Sequence, residues 1–207
     1  MGFFIWELGI VYETAREQDS GHYKVLITPI SPHHPSPITH YPSPISMKIR
    51  LFNKQDAEQI ARLFHQTVRE VNISNYSVNQ VKAWAPDDIY FRDWINVCSQ
   101  KFTYVADNNG IIAGFGELEP NGHIDCFYCH KDYQRMGVGS KIYQAIEAKA
   151  YELEIHRLYV EASITAKPFF QRMGFSVIKE QQVECRGENF INYVMEKYLT
   201  ASSGKNC

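Results

Sequence analysis

The chain has 207 residues, which on the usual scale of roughly 100–200 residues per domain allows one full domain with a modest extension and excludes two large ones. Hydrophobic residues make up 44% of it and aromatic residues 14%, so it can build a substantial core and is not of the disordered class. Basic and acidic residues nearly balance, 21 against 23, so bulk charge predicts neither nucleic acid nor a membrane surface as a partner.

Residues 1–46 differ in composition from the rest of the chain, because six of the nine prolines lie between Pro29 and Pro44. Each proline removes a backbone donor and fixes φ, so this stretch cannot hold a helix or a central strand. We expect residues 1–46 to be a disordered or non-native leader, with Met47 as the natural start. Residues 47–200 are then the folded domain and residues 201–207 a flexible tail.

The domain is predicted to open with a strand and three helices. Residues 48–52 alternate as a short strand, and a helix follows the capping types Asn53 and Asp56. The apolar face of that helix consists of Ile60, Leu63, Phe64, Val68 and Val71. A second helix is predicted after Ser77, and a third through residues 89–95.

Three strands and an α+β second half follow. Residues 101–107, 111–119 and 123–130 are strand-like and are separated by Asn-Gly turn signals, which predicts an antiparallel meander. A helix is then expected from about Ser140, a strand over 157–163, a helix between Pro168 and Gly174, and closing strands over 176–185 and 190–199. The fold class is α+β, with a mixed, mostly antiparallel central sheet flanked by helices.

Two glycines, Gly137 and Gly139, lie between the third strand of the meander and the helix after it. Glycine lets the backbone turn tightly and approach a ligand, and the unpaired amides of a helix N-terminus attract phosphate oxygens. Together with the later segment Ala-Lys-Pro-Phe-Phe-Gln-Arg-Met-Gly-Phe (166–175), the Gln-x-x-Gly-x-Gly loop resembles the GNAT superfamily of acetyl-CoA-dependent N-acetyltransferases. The closing residues are similar to a bacterial subgroup of that family.

The resemblance implies a V-shaped splay between the two central strands, with acetyl-CoA bound in it. The main chain of the first of these strands would pair with the pantetheine amides and stabilise the tetrahedral oxyanion, and the glycine loop would hold the pyrophosphate. Ser163 falls where many relatives place an Asn near the coenzyme. The implied coenzyme-binding residues are Phe127, Tyr128, Cys129, Gln134, Arg135, Met136, Gly137, Val138, Gly139, Ser140 and Ser163.

Direct transfer in this family requires a base for the ammonium and benefits from an acid for the thiolate. Glu161 and Asp125 are the candidate bases, since they lie on the strands that flank the cleft, with Glu117 behind them. Many relatives carry a Tyr acid four residues before the Gly-Phe pair, but this chain has Phe170 there. The acid is then another group, with Tyr128, Tyr159 and Tyr193 as candidates, or solvent, or catalysis has been lost.

The segment from His123 to His130 also has the look of a zinc site, with Cys126 and Cys129 three residues apart. Because side chains on a strand alternate, these two cysteines should point to opposite faces, so we predict no metal. The aromatic residues Trp84, Tyr90, Phe91 and Trp94 are either core or the lining of an acceptor pocket.

We therefore expect acetyl transfer to a primary amine of a small molecule. The alternatives are transfer to a protein lysine or N-terminal amine, and a non-catalytic acetyl-CoA-binding module. No apolar run reaches the ~20 residues of a membrane span. Five irregularly spaced cysteines fit a reducing cytoplasm, and a homodimer is a possible assembly.

Overall fold

A computed structural model describes residues 47–200, so the predictions for the leader and for residues 201–207 lie outside the described part. The strands are β1 (Met47–Leu51), β2 (Phe102–Asn108), β3 (Ile111–Leu118), β4 (Ile124–Cys129), β5 (Arg157–Ser163), β6 (Ser176–Cys185) and β7 (Glu188–Tyr198). The α-helices are α1 (Ala57–Gln66), α2 (Val78–Trp84), α3 (Trp94–Ser99), α4 (Val138–Glu152) and α5 (Lys167–Arg172). None of these helices is long and apolar enough to cross a membrane.

The first sheet is the predicted antiparallel meander, in the order β1-β2-β3-β4. The β2–β3 turn places Asn109 and Gly110 at φ values of 53° and 89°, the left-handed conformations that a two-residue hairpin turn requires. The second sheet has the order β5-β7-β6 and is also antiparallel. Its β6–β7 turn uses Arg186 and Gly187 in the same way, with φ values of 48° and 81°.

Within residues 47–200, the strands β4 and β5 run side by side in parallel and share one isolated β-bridge at their start. A single bridge joins His123 to Tyr159, where the Tyr159 amide donates to Gly122 O at 3.0 Å. Beyond this bridge the two strands belong to different sheets. Within residues 47–200, no β pairing joins the two strands beyond the bridge toward Cys129 and Ser163, and we call the region between these two edges the wedge.

Two helix starts differ from the sequence-based expectation. Residues 89–95 are not one helix, because the Asp93 carboxylate accepts the Asn96 amide at 3.0 Å and α3 begins only at Trp94. Helix α4 begins at Val138 rather than near Ser140, because Gly137 adopts φ 78° and serves as its N-cap. Helix α2 follows its expected cap, since Ser77 and Gln80 form a capping box.

The core consists of two apolar clusters, one on each face of the sheets. The α1-side cluster contains Phe64, Trp94, Phe115 and Tyr128, and the α4-side cluster contains Phe127. Helix α4 lies against β3 at glycine positions. A β carbon at Gly116 would lie 2.8 Å from the Phe127 ring, so no larger residue fits without displacement.

Candidate coenzyme cleft and acceptor side

The cleft edge of β4 presents backbone groups. The His130 amide donates to Ala113 O on β3 at 2.9 Å, and alternation along the strand then directs the polar groups of Phe127 and Cys129 away from β3, toward β5. The side chains of Phe127, Tyr128 and Cys129 are all buried in the core. Phe127 and Cys129 can therefore serve a ligand through their main chain alone, whereas the main-chain polar groups of Tyr128 face β3.

The carbonyl oxygen of Cys129 holds the loop that follows β4. It accepts the Gln134 amide Nε2 at 2.9 Å and the Thr67 hydroxyl at 3.0 Å. Gln134 thus folds the loop back onto β4, and Thr67 ties the end of α1 to the same point. Sequence reasoning missed Thr67, because its partner is 62 residues away.

The loop between β4 and α4 is an open cradle. Arg135 adopts φ 65° and Gly137 φ 78°, and a β carbon at Gly137 would meet nothing within 4 Å. The first intrahelical bond runs from the Lys141 amide to Gly137 O at 3.1 Å, so the amides of Val138, Gly139 and Ser140 precede it. Amides that precede the first intrahelical bond, at the positive end of a 15-residue helix, are suited to an anion such as a diphosphate.

The two glycines of this loop have different roles. Gly137 leaves space in front of the helix, whereas Gly139 is buried and a β carbon there would lie 3.2 Å from the Phe169 ring. The Gly139 amide also faces the thiol of Cys129. Burial outweighs this contact and raises the pKa of Cys129 to about 12, so this thiol stays protonated. Arg135 and Met136 are exposed at the mouth of the cradle.

Ser163, expected near the coenzyme, uses its hydroxyl locally. Its Oγ accepts the Ala166 amide at 3.0 Å, and it hydrogen-bonds the Tyr76 hydroxyl. Tyr76 also accepts the Ile164 amide at 3.0 Å, and burial raises its pKa to about 12. Ser163 therefore holds the end of β5 and the start of α5 in place, and its side chain is buried.

Glu161, one of the two candidate bases, lies on the acceptor-side face of β5. Its neighbours Val160 and Ala162 point to the α4-side cluster, so Glu161 and Ser163 point to the opposite side. The Glu161 carboxylate oxygen Oε2 lies 2.6 Å from Nε2 of His123, and one third of the side chain is exposed. His123 is not among the residues that the sequence predicted for the site.

Asp125, the other candidate base, is held in a buried ion-pair network. Between Gly116 and Leu118 of β3, strand β4 carries one extra residue, and this bulge turns Asp125 toward Glu117. The Lys101 ammonium contacts the carboxylates of Glu117 and Asp125, and it lies 3.0 Å from that of Glu117. The Arg92 guanidinium lies 3.8 Å from Asp125. Asp125 remains a proposed base, but two cations already stabilise its ionised form.

The same bulge brings together the groups that could ligate a cation. Ligand atoms of Glu117, Asp125 and Cys126 lie within 4.8 Å of one another, with Lys101 supplying the balancing charge in the structure. Cys126 packs in the α1-side cluster and Cys129 in the α4-side cluster. The two cysteines thus point to opposite faces, as strand alternation predicts.

Two of the positions considered for the acid lie in the apolar core. Phe170 is fully buried among Phe127, Phe169 and Phe175, so this position is part of the core. Tyr128 is buried between Phe64 and Phe115.

Two further tyrosines remain as candidate acids. Burial, followed by the charge of Glu119 and Glu161, raises the pKa of Tyr159, which stacks on His123. Tyr193 bonds Glu180 on β6, away from the cleft, and burial first and this bond second raise its pKa. Tyr159 is thus the candidate nearest Glu161.

The aromatic residues on the acceptor side are mostly core. Trp84 packs edge-on against Tyr76 and Phe190, and Trp94 is buried, whereas Tyr90 is 60% exposed. The tip of the β6–β7 hairpin is fastened to α2 over this cluster, since Arg186 donates to Ala83 O at 2.7 Å and Gln80 to Asn189 O at 2.6 Å.

Two buried carboxamides also lie on this side. Asn192 pairs in register with Ser163, and Asn72 follows a π turn in which its amide donates to Thr67 O. Neither side-chain amide has a hydrogen-bond partner within residues 47–200. Because an unpaired buried amide is costly, these two groups are suited to contacts with a bound polar molecule.

The chain matches known acetyltransferases over most of its described part. The sequence profile described as Acetyltransferase (GNAT) domain matches residues 72–197. The chain is 34% identical over 151 residues to the Escherichia coli K12 protein described as uncharacterized N-acetyltransferase YafP, a match that spans 72% of this chain and 95% of that protein. These matches place the chain among the acyltransferases. It belongs to the GNAT acetyltransferase family.

Solved structures show the same fold. A GCN5-related N-acetyltransferase from Rhodopseudomonas palustris is similar with a TM-score of 0.69 and 30% identity, over 73% of this chain and 95% of that one. The PaiA N-acetyltransferase from Thermoplasma acidophilum, solved in complex with coenzyme A, has a TM-score of 0.62 at 16% identity, over 74% and 99% of the two chains. At that identity the second likeness concerns the fold alone.

Proposed function

We propose that the protein transfers an acetyl group from acetyl-CoA directly to a primary amine of a small molecule, with Glu161 as the general base. The observation that carries the proposal is the alignment of three features along one cleft. These are the unpaired edge of β4, the amide cradle of Gly137–Ser140 and the one-third exposed carboxylate of Glu161.

The cleft fits acetyl-CoA on its own chemistry. The main-chain groups of Phe127 and the N–H of Cys129 would pair with the amides of the pantetheine arm, as an added strand pairs with a sheet edge, because the Cys129 carbonyl is already bonded to Gln134 and Thr67. The first amides of α4 would hold the pyrophosphate, with Arg135 beside them. One free N–H of β4 would stabilise the oxyanion of the tetrahedral intermediate.

Glu161 would act at the start of the reaction. An ammonium has no lone pair, so the carboxylate first takes a proton from it, and the amine then attacks the thioester carbonyl. The nitrogen of the tetrahedral intermediate then loses its second proton to solvent, and the C–S bond breaks, which forms the amide and releases the thiolate. Since Phe170 cannot donate a proton, the thiolate leaves as the anion or is protonated by Tyr159 or by solvent.

A small acceptor is favoured over a polypeptide by the fastening of the β6–β7 hairpin to α2. The contacts of Arg186 with Ala83 and of Gln80 with Asn189 fix the hairpin tip on α2, and we expect a fixed tip to restrict access of a polypeptide to the acceptor side. The guanidinium of Arg186 also lies 5.0 Å from the Phe91 ring centre, which holds the hairpin tip further in place.

The test is a thiol-release assay with acetyl-CoA across a panel of small primary amines and of lysine and N-terminal peptides. We expect turnover on at least one small amine, and Glu161→Gln should lower kcat by about 100-fold or more and change its pH dependence while coenzyme affinity is retained. Turnover on peptides alone would identify a protein acetyltransferase. Tight acetyl-CoA binding without turnover on any amine would identify the non-catalytic module, which the core position of Phe170 makes the second candidate.

A further inference from the structure

His123 lies where the cleft closes and is held on several sides. It precedes β4 and forms the single bridge to Tyr159, on whose ring it stacks with a centroid distance of 4.8 Å and an interplanar angle of 21°. Its Nε2 lies 2.6 Å from Glu161 Oε2, and its Nδ1 lies 3.4 Å from Glu119 Oε2. The imidazole is 19% exposed. Its orientation is therefore fixed by the convergence of the two strands.

The 2.6 Å contact determines which atom carries the proton. An ionised carboxylate only accepts hydrogen bonds, so Nε2 of His123 must be the donor to Oε2 of Glu161. The other carboxylate oxygen, Oε1, has no hydrogen bond to any residue in the described range 47–200. One carboxylate oxygen of Glu161 is thus hydrogen-bonded to His123, and the second is available to a bound molecule.

We propose that His123 is a positioning residue for Glu161, whose Nε2–H holds one carboxylate oxygen so that the other can take the proton of the acceptor ammonium. This inference rests on the proposed function, because it assumes that Glu161 is the base. In the step itself an N–H bond of the ammonium breaks and an O–H bond forms on Oε1. Nε2 keeps its proton throughout, and Oε1 returns the acquired proton to water.

The charges around the imidazole fit this role. Glu119 and Glu161 face its two nitrogens, Lys101 lies 3.4 Å from Glu119, and the guanidinium of Arg157 lies 4.8 Å from the centre of the Tyr159 ring. Arg157 is itself paired with Glu196 of β7, and Asp125 on β4 is paired with Lys101. Each ring nitrogen of His123 thus faces a carboxylate, Nε2 that of Glu161 and Nδ1 that of Glu119.

The test compares two replacements of His123. Gln places an amide N–H close to the position of Nε2, so His123→Gln should keep the orientation of Glu161 and most of kcat. His123→Ala removes the donor, and we expect a loss of about 10- to 100-fold in kcat with no change in the KM for acetyl-CoA. His156→Ala, at an exposed histidine next to β5, is the matched control and should retain wild-type kcat.

A double-mutant cycle separates positioning from a general structural effect. If His123 acts through Glu161, His123→Ala should cost nothing further in a Glu161→Gln background. Losses that add in full, or a His123→Gln variant as impaired as His123→Ala, would overturn the proposal. Melting temperatures and coenzyme affinity measured on the same variants should stay at wild-type values, because a folding defect would change them.

A measurement that does not depend on turnover distinguishes a failure of this proposal from a failure of the proposed function. Nitrogen NMR of the His123 ring should show a proton on Nε2 in the wild type and a changed Nε2 signal in Glu161→Gln. If that signal responds and no amine is acetylated, the pair exists and the proposed function fails. If the Nε2 signal is the same in both proteins, the positioning contact itself is refuted.

Discussion

Gly137 offers a direct test of the pyrophosphate cradle, through replacement by Glu, Gln and Ala. A β carbon at this position meets nothing within 4 Å, so none of the three side chains is excluded by neighbouring atoms. All three share a backbone cost, because φ is 78° and an L-residue in the left-handed region loses about 1–2 kcal/mol. The differences between the variants therefore report on the ligand alone.

The Glu variant adds a negative charge where the cradle faces the diphosphate. Two unit charges 4 Å apart interact by about 1 kcal/mol in water and about 4 kcal/mol near a protein surface. At an exposed loop we expect a loss of about 2–4 kcal/mol in binding, or about 30- to 700-fold in the Kd for coenzyme A. Gly137→Gln has the same shape without the charge and should lose much less.

The assay is titration calorimetry with coenzyme A at low and high salt. The difference between the Glu and Gln variants should shrink near 1 M salt, where the screening length falls to about 3 Å. Equal affinities of the Glu and Gln variants would refute this cradle, since the diphosphate would then lie elsewhere. A Gly137→Ala variant that melts at the wild-type temperature would contradict the stated backbone cost.

Three further substitutions test the core around the site. Lys101→Met leaves the fully buried carboxylate of Glu117 without its ammonium, and we expect a loss of about 3–5 kcal/mol in urea unfolding. Arg62→Met, at an exposed pair, should leave stability unchanged, and equal losses in the two variants would contradict this reasoning. Gly139→Val places side-chain atoms against the Phe169 ring, which would lie 3.2 Å from the added β carbon, and should lower stability by about 1–3 kcal/mol in thermal melts. An unchanged melting temperature would show that the larger side chain fits. Burial raises the pKa of Cys129 to about 12, so the unfolded chain releases this proton from about pH 9 while the folded chain retains it. The free energy of unfolding should therefore fall between pH 9 and 12 by up to about 1.4 kcal/mol per pH unit. In urea titrations, Cys129→Ala should show a shallower fall than the wild type. Parallel curves for the two proteins would contradict this prediction.

Local signals in the sequence predicted most elements of the described domain. The strand predicted over 157–163 is β5 and that over 176–185 is β6, because each is bounded by clear turn or helix signals. The start of α3 was wrong, since aromatic spacing before Asp93 resembles a helix while the Asp93 cap starts one only afterwards. The two-residue error at α4 arose because Gly137, as N-cap, leaves Val138 already helical.

The site was harder to predict because its contacts join distant parts of the chain. Strand alternation placed Cys126 and Cys129 on opposite faces, but it cannot show a bulge, which depends on the pairing with β3. The bulge is the reason that Asp125 turns toward Glu117 and Lys101. The contact of His123 with Glu161 spans 38 residues and exists only because β4 and β5 converge there.

The single bridge between β4 and β5 also bears on how the fold gains stability. The strands form two separate sheets, and within residues 47–200 the hydrogen bonding between β4 and β5 is limited to one isolated bridge. A ligand that fills the wedge would take the place of an absent strand and join the two sheets into one continuous hydrogen-bonded layer. The coenzyme would then be a structural component of the protein as well as its acyl donor, and its concentration would set the resistance of the whole domain to unfolding.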